Sequence, residues 1–156
     1  YRIAEQHGWS NFITMQNHVN LLYREEEKEM IPACIDAGVV CTPYSPLASG
    51  KLATPWGVEN DRSGDVKVQQ KYAKSAEIDK PIVDRVEKLA KEKCVIMSQI
   101  GLAWLMHKEG IQAPLVGATG AYMIADALNA SKVELTLEDM KYLEELYVTH
   151  ETVGAL

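Results

Sequence analysis

Short apolar runs that alternate with helical patterns constrain the fold of this chain more than any other feature. The strand-like runs are FITMQN (12–17), VVCTPY (39–44) and APLVGA (113–118). Together with the segments between them they predict the order helix, strand, helix, strand, long loop, two helices, strand, helix, helix. Strands that are joined by helical crossovers lie parallel in one sheet, with the helices outside it. The sequence therefore predicts an α/β fold with parallel strands.

Turn and capping residues predict where the helices begin and end. A helix over 1–7 is stopped by Gly8, and a helix over 21–38 is closed by Gly38. Asp79-Lys80-Pro81 predicts another helix start, with Asp79 as the cap and Pro81 just inside. The remaining signals are Ser98 as the next cap, Gly110 as the end of that helix, a short helix over 121–130, and a capping box of Thr136 with Asp139.

The length of the chain limits how much of a barrel it can form. A (β/α)8 barrel needs roughly 250 residues, with a lower bound of about 200, and this chain has 156. Three strands cannot close a barrel, and as an open sheet they leave two long apolar edges. The pattern therefore predicts about half of a (β/α)8 barrel. Tyr1 stands where a start methionine would, inside a helix-like pattern, and this favours a fragment over a natural terminus.

Charge and cysteine content argue against several classes of protein. A net charge of −6 leaves no basic surface for nucleic acid or an anionic membrane. No apolar run is long enough to span a bilayer, and the N-terminus has no signal pattern. Cys34, Cys41 and Cys94 are widely spaced without a CxxC pair, which argues against a disulfide framework or a zinc site. A cytoplasmic protein in a reducing compartment is the default expectation.

Most other polar and aromatic residues have a structural interpretation. The acidic run 25–29 is predicted as a solvated helix start, the cysteines as buried hydrophobes and Trp104 as core. Trp56 lies in the long loop, where a contact with a substrate stays open. The histidines show no metal-ligand spacing, so we predict surface or loop positions and no metal site. They are His7, His18, His107 and His150.

The residues that follow the predicted strands carry the functional signal, because ligands of parallel α/β folds bind at the carboxyl ends of the strands. Gln16 follows the first strand, and its amide suits a carboxamide. Tyr44 ends the second strand and offers a flat face to a heteroaromatic ring. Ser45 and Ser49 follow it in a glycine-containing turn that suits a pyrophosphate. Residues 117–120 precede a helix whose first N–H groups favour an anion.

Three stretches resemble the aldo-keto reductase family. MQNHVNLLYREEEKEMIPACIDAGVVCTPYSPLASGKL is similar to the segment from the sixth barrel strand into the loop after the seventh. APLVGATGAYMIADAL resembles the eighth strand and its helix, and LTLEDMKYLEELYVTH the closing helix and tail. The resemblance is closest to the long-loop branch with fungal and bacterial members. It implies that 1–156 is the C-terminal half of a (β/α)8 TIM barrel, from the end of the fifth helix through the eighth strand, eighth helix and C-terminal helix.

The resemblance also implies a cofactor and its binding residues. The cofactor is NADP(H) and the substrate a small carbonyl compound, an aldehyde or a ketone. Gln16 would hold the nicotinamide carboxamide and Tyr44 would stack on the nicotinamide ring. The pyrophosphate would contact Ser45, Pro46, Leu47 and Ser49. Arg62 would fold over the cofactor, and the adenosine with its 2′-phosphate would lie at Gly117, Thr119, Met123, Asp126 and Ala127.

Departures from the family pattern leave two questions open. Thr119, Met123 and Ala127 replace basic or amide residues that are frequent in the family, so the preference for NADP over NAD is open. The catalytic tetrad of Asp, Tyr, Lys and His comes from earlier strands, and no residue here matches it. The alternative to a reductase half is a free-standing truncated half-barrel with a non-redox role. Such a protein would be an oligomeric scaffold, a regulatory subunit, or a cyclase or isomerase, and it would form a homo-oligomer to cover its edges.

Overall fold

The computed structural model describes residues 1–60, 63–66 and 71–151. Within them, two short strands lie at the centre, β1 (Thr14–Met15) and β2 (Val40–Cys41). The helices are α1 (Arg2–His7), α2 (Met30–Asp36), α3 (Ala76–Glu92), α4 (Met97–Met106), α5 (Ala121–Ala130) and α6 (Leu137–Glu144). Single 3-10 turns occupy Glu25–Glu27, Ala48–Gly50 and Ala73–Ser75.

The strands are parallel, as predicted. Thr14 is paired with Val40 and Met15 with Cys41. The pairing continues beyond both strands, because His18 forms a parallel bridge with Tyr44. On the other side of β2, Cys41 forms a parallel bridge with Ile111. Strands β1 and β2 are both shorter than the apolar runs that predicted them. The chain segments that follow β1 and β2 lie side by side.

Helix α3 packs against α4 and α6, and these helices contribute many residues to the core. The apolar stripe predicted on α3 is buried, since Ile82, Val83, Val86, Leu89 and Ala90 are at most 3% exposed. Trp104 on α4 is fully buried, which confirms its predicted place in the core. Among the described residues, no helix is long and apolar enough to cross a membrane.

The start of α3 differs from the prediction. The helix begins at Ala76, so Pro81 lies inside it and Asp79 is not its cap. Asp79 is fully buried instead. Its Oδ2 accepts a hydrogen bond of 2.5 Å from Ser75 Oγ, and its Oδ1 lies 2.8 Å from His150 Nε2. Asp79 therefore contacts Ser75 and His150 of the tail instead of capping the helix.

The predicted helix over 21–38 is shorter in the structure. Only Met30–Asp36 is α-helical, and the acidic run forms a 3-10 turn over Glu25–Glu27. These glutamates are half-buried rather than solvated. Glu25 Oε1 accepts hydrogen bonds from the Tyr147 hydroxyl at 2.8 Å and from the His150 N–H at 2.9 Å. The predicted end is confirmed, because Gly38 takes a left-handed φ of 66° two residues after α2.

The segment 113–118 is not the doubly buried strand that its apolar sequence predicted. It follows β2 through two hydrogen bonds, from Gln112 N–H to Cys41 O at 3.1 Å and from Leu115 N–H to Pro43 O at 2.8 Å. Leu115 is 42% exposed and Val116 is 39% exposed. No strand of the described residues pairs with its outer edge. The segment is therefore extended beside β2 without forming a regular strand.

Local capping signals had mixed outcomes. The capping box is present, since Thr136 Oγ1 accepts from Asp139 N–H while the Asp139 carboxylate accepts from Thr136 N–H. Ser98 is not a cap, because α4 begins at Met97. Cys34 and Cys41 are buried as predicted, whereas Cys94 is exposed.

Gly110 is a position where the backbone requires glycine, and its substitution is expected to be costly. Its φ is +81°, and an added Cβ would lie 2.8 Å from Ile35 Cγ1. Gly110→Ala should lower the free energy of unfolding by about 3 kcal/mol, from left-handed strain and overpacking together. Gly38→Ala is the matched control, with φ +66° and open space around the new methyl group. It should cost about 1 kcal/mol. Chemical denaturation measures both, and equal losses would contradict the packing argument.

Candidate functional site

The site begins where the two strands end beside each other. After β1 the chain continues through Asn17 and His18, and after β2 it reaches Tyr44. The Tyr44 N–H donates to Asn17 O at 2.8 Å, which fixes the two ends in register. This places the predicted Tyr44 at the carboxyl edge of the sheet, where the sequence analysis expected it.

The Tyr44 side chain is one member of a stack of three rings. The His18 ring lies 5.0 Å from the Tyr44 ring, centroid to centroid, with 19° between the planes. The Tyr23 ring lies 4.3 Å from the His18 ring, with 17° between the planes. His18 therefore lies between the two tyrosines, because two rings cannot share one face of an imidazole at these distances. Tyr44 itself is half-buried.

His18 is buried among polar groups. It is 4% exposed, and its Nε2 lies 3.3 Å from the Tyr72 hydroxyl and 3.3 Å from Asn20 Nδ2. Burial, together with the Lys71 ammonium group, lowers the pKa of His18 from 6.5 to about 3. The imidazole is thus neutral near pH 7. The surface or loop position predicted for His18 was wrong.

The turn after Tyr44 has an unusual backbone. Ser45, Ala48 and Ser49 have φ values of 53°, 50° and 55°, in the left-handed region that non-glycine residues avoid. Such residues cost on the order of 1–3 kcal/mol each and cluster at functional sites. The hydroxyls of Ser45 and Ser49 lie 3.4 Å apart. Pro46 is buried and Leu47 packs against the core, so these two residues anchor the turn.

A cavity of about 290 Å³ opens beside this turn. Lys51 and Trp56 line it, and the Lys51 ammonium group lies 5.2 Å from the centroid of the Trp56 ring. Trp56 therefore borders the candidate site. The sequence had left open whether Trp56 contacts a substrate. Other residues of its lining are Ser49, Thr54, Asn60 and Ser63. The lining also includes the Glu59 carboxylate. Hydroxyls, an amide, an ammonium group and a carboxylate beside an aromatic ring suit a polar ligand.

The second group of predicted residues lies at the start of α5. Gly117 and Thr119 are exposed on the segment that leads into the helix. Thr119 Oγ1 donates to Met123 Sδ at 3.4 Å. Asp126 and Ala127 are half-buried one turn further on. The hydrogen bond from Leu115 to Pro43 ties this segment to the chain just before Tyr44.

Gln16 and Arg62 are the two predicted site residues that remain. Gln16 directly follows β1 and is exposed, at the same edge of the sheet as Tyr44. Arg62 lies outside the residues that the structure describes.

The sequence analysis did not include Asn20 and Tyr72 among the site residues. Asn20 is fully buried, and its Nδ2 donates to Ser45 O at 3.0 Å. Burial raises the pKa of the Tyr72 hydroxyl to about 12. Tyr72 lies far from the strand ends along the sequence, so no local signal pointed to it. The polar residues of NHVN (17–20), shortly after β1, were a signal that could have found Asn20. In the part of the chain that the structure covers, no group of three or more metal-ligating side chains lies together.

Comparison with known proteins identifies the class of protein to which this fold and candidate site belong. The sequence pattern of the aldo/keto reductase family matches residues 1–148. The chain therefore belongs to the aldo/keto reductase family, whose fold is the (β/α)8 barrel.

Similar proteins are fungal members of this family. Versiconal hemiacetal acetate reductase of Aspergillus parasiticus is 44% identical over 152 residues, which cover 94% of this chain and 43% of that protein. An aldo-keto reductase of Fusarium vanettenii is 40% identical over 159 residues, covering 97% of this chain and 41% of its own length. Another, from Alternaria alternata, is 39% identical over 153 residues, with 97% and 41% covered. The chain thus spans less than half the length of these relatives.

Proposed function

We propose that this chain is the C-terminal, cofactor-binding half of an NADP(H)-dependent aldo-keto reductase that reduces aldehydes or ketones. One observation carries the proposal: a half-buried tyrosine ring at the end of β2 is followed at once by a left-handed serine-containing turn beside a cavity. An aromatic ring followed by a turn with two serine hydroxyls suits a nicotinamide and the pyrophosphate of the same cofactor.

Several residues suit the nicotinamide and pyrophosphate parts of such a cofactor. Tyr44 would receive the nicotinamide ring, and the exposed Gln16 amide would bind its carboxamide. Ser45 and Ser49 would hold the pyrophosphate, with Lys51 nearby as a cation. The bound cofactor supplies hydride to the carbonyl carbon of the substrate. The proton for the carbonyl oxygen would come from a tyrosine, assisted by lysine and histidine, on barrel strands that this chain does not contain.

The preference for NADP over NAD rests on the start of α5. The N–H groups of its first turn favour an anion, as a 2′-phosphate is. Thr119 and Met123 carry no charge there, and Thr119 already donates to Met123. We propose NADP(H) with a modest preference over NAD(H), because backbone donors remain while charge-assisted side-chain contacts are missing.

Exposed apolar residues before β1 support a further proposal, a contact with another protein segment. Phe12 and Ile13, which precede β1, are 79% and 77% exposed, and Trp9 is 64% exposed. Exposed apolar residues next to a sheet edge mark a surface that another protein segment covers. In a reductase this segment is the other half of the barrel. In the alternative, a non-redox half-barrel, it is a second copy of the chain, and analytical ultracentrifugation separates a monomer from a dimer.

Cofactor titration tests the proposed function. Binding of NADPH to the chain is followed by the fluorescence of the reduced nicotinamide. Tyr44→Ala should weaken binding about tenfold, because ring stacking is worth on the order of 1–2 kcal/mol. Tyr142→Ala is the matched control, since Tyr142 contacts Arg85 on the helical layer. It should leave binding unchanged. No binding by the wild-type chain, or equal effects of the two substitutions, would overturn the proposal.

A further inference from the structure

The support behind the Tyr44 ring is a built feature of the site. The His18 ring covers one face of Tyr44 at a centroid distance of 5.0 Å and only 19° from parallel. A ligand ring can therefore stack on Tyr44 only over its other face. The Lys71 ammonium group also lies over the Tyr44 ring, 5.3 Å from its centroid, so a ligand ring that stacks on the other face would take the place of Lys71.

His18 is itself held rigidly from several sides. Tyr23 covers its second face at 4.3 Å. Its Nε2 contacts both the Tyr72 hydroxyl and Asn20 Nδ2, each at 3.3 Å. Asn20 Nδ2 also donates to Ser45 O at 3.0 Å. One side chain thus links the ring that supports Tyr44 to the first residue of the serine turn.

The charge state of His18 keeps the stack constant. The buried imidazole is neutral over the physiological range, since its pKa is lowered by burial and by Lys71. A neutral ring stacks on a phenol without needing a counter-ion, and Lys71 remains the cation near Tyr44. The support should therefore not change with pH near neutrality.

We propose that His18 is a positioning residue, which holds the Tyr44 ring in the orientation that receives the nicotinamide ring of the cofactor. The proposal rests on the proposed function. Its physical basis is pre-organisation: a side chain that is already immobilised loses less conformational freedom when the ligand binds. Without His18, the Tyr44 ring would have an empty space behind it and would have to be ordered by the cofactor itself.

Two substitutions at His18 separate support by a ring from other effects. His18→Ala removes the ring, and His18→Phe keeps a flat ring between Tyr23 and Tyr44 but loses the polar contacts. We expect His18→Ala to weaken NADPH binding roughly three- to tenfold. We expect His18→Phe to restore most of this loss. Thermal unfolding of each variant confirms that the titrations are made on folded protein.

A cofactor fragment distinguishes positioning from general damage. Adenosine 2′,5′-bisphosphate contains the adenosine half but no nicotinamide, so it does not use Tyr44. His18→Ala should leave its affinity within about twofold of wild type, whereas a general loss of structure would weaken both ligands. Isothermal titration calorimetry gives both affinities on the same protein.

The double variant tests whether His18 acts through Tyr44. If it does, His18→Ala should cause no further loss of NADPH affinity in a Tyr44→Ala background. Additive losses, unchanged NADPH binding in His18→Ala, or tighter binding in that variant would overturn the inference. These outcomes leave the proposed function intact, because they require a wild-type chain that binds NADPH. A wild-type chain that binds neither NADPH nor the fragment overturns both.

Discussion

Replacing Glu144 with glutamine is expected to lower the free energy of unfolding by about 3 kcal/mol, because it breaks a largely buried charge cluster. Glu144 Oε1 accepts from Trp104 Nε1 at 2.8 Å and lies 3.2 Å from Lys108 Nζ. Glu144 Oε2 lies 3.0 Å from Arg24 Nη2. Burial alone would raise the pKa of Glu144, but Arg24, Trp104 and Lys108 lower it overall.

The cost comes from the groups that the substitution leaves behind. The Arg24 side chain is only 12% exposed, and its guanidinium lies 5.6 Å from the Trp104 ring centroid. A glutamine amide has no charge for two cations, and one of its two positions is an N–H donor. Arg24 would keep Glu27, at 2.7 Å, as its remaining anionic partner. Removing one member of such a buried network leaves uncompensated charge.

The neighbouring Glu145 is the matched control. It pairs with Arg85 at 2.6 Å, but its side chain is 45% exposed. Glu145→Gln should change the free energy of unfolding by less than about 1 kcal/mol, since the Glu145 carboxylate is open to water and Arg85 keeps its contact with Tyr142 O. Urea denaturation of the wild type and both variants measures the difference. Losses of similar size would contradict the claim that burial makes the Glu144 cluster stabilising.

Acidification from pH 6.5 to pH 5 is expected to lower the free energy of unfolding by about 1.5 kcal/mol through His18 alone. The folded chain holds His18 at a pKa of about 3, against 6.5 in the unfolded chain. Between these values the unfolded state binds more protons than the folded state. Stability therefore rises with pH across this window and falls on acidification.

The charged and titratable groups around His18 fix the direction of this effect. Lys71 disfavours a second positive charge, and burial raises the pKa of the Tyr44 and Tyr72 hydroxyls, so neither offers a negative charge at these pH values. Burial raises the pKa of Asp79, which gives an opposite slope above pH 3.8. That slope is common to the wild type and to any variant at position 18.

His18→Phe isolates the histidine contribution. Phenylalanine keeps the ring stack but cannot titrate, so the difference between the two stability curves reports His18. We expect the stability of the wild type to fall relative to His18→Phe by about 1.2 kcal/mol between pH 6 and pH 5. The measurement is urea denaturation at a series of pH values between 5 and 8. Parallel curves for the two proteins would show that the pKa of His18 is the same in the folded and unfolded states, which would contradict the lowered pKa.

Features that depend on neighbouring residues followed from the sequence. The capping box of Thr136 with Asp139 and the helix over 121–130 form as predicted, because their hydrogen bonds join residues within a turn of each other. The apolar stripe of α3 is buried because its period of 3.6 residues defines one face. Tyr44 lies at a strand end because the apolar run before it stops there.

Features that depend on distant contacts did not follow from the sequence. Asp79 carries a local signal for a helix cap, yet His150 and Ser75 hold it in a buried site. The run 113–118 has the composition of a buried central strand, but burial depends on contacts with distant segments, and Leu115 and Val116 are 42% and 39% exposed. Neither contact has a signature within the segment itself.

The sequence by itself determined the family, the parallel arrangement of the strands, and the order of an aromatic ring and a serine turn after β2. These depend on residue order and on periodicity, which the sequence contains in full. Only the tertiary structure decided that His18 lies buried between Tyr23 and Tyr44, with Asn20 and Tyr72 at its Nε2. The reason is physical: burial and ring contacts join residues as far apart along the chain as His18 and Tyr72, and such contacts form only when the chain has packed.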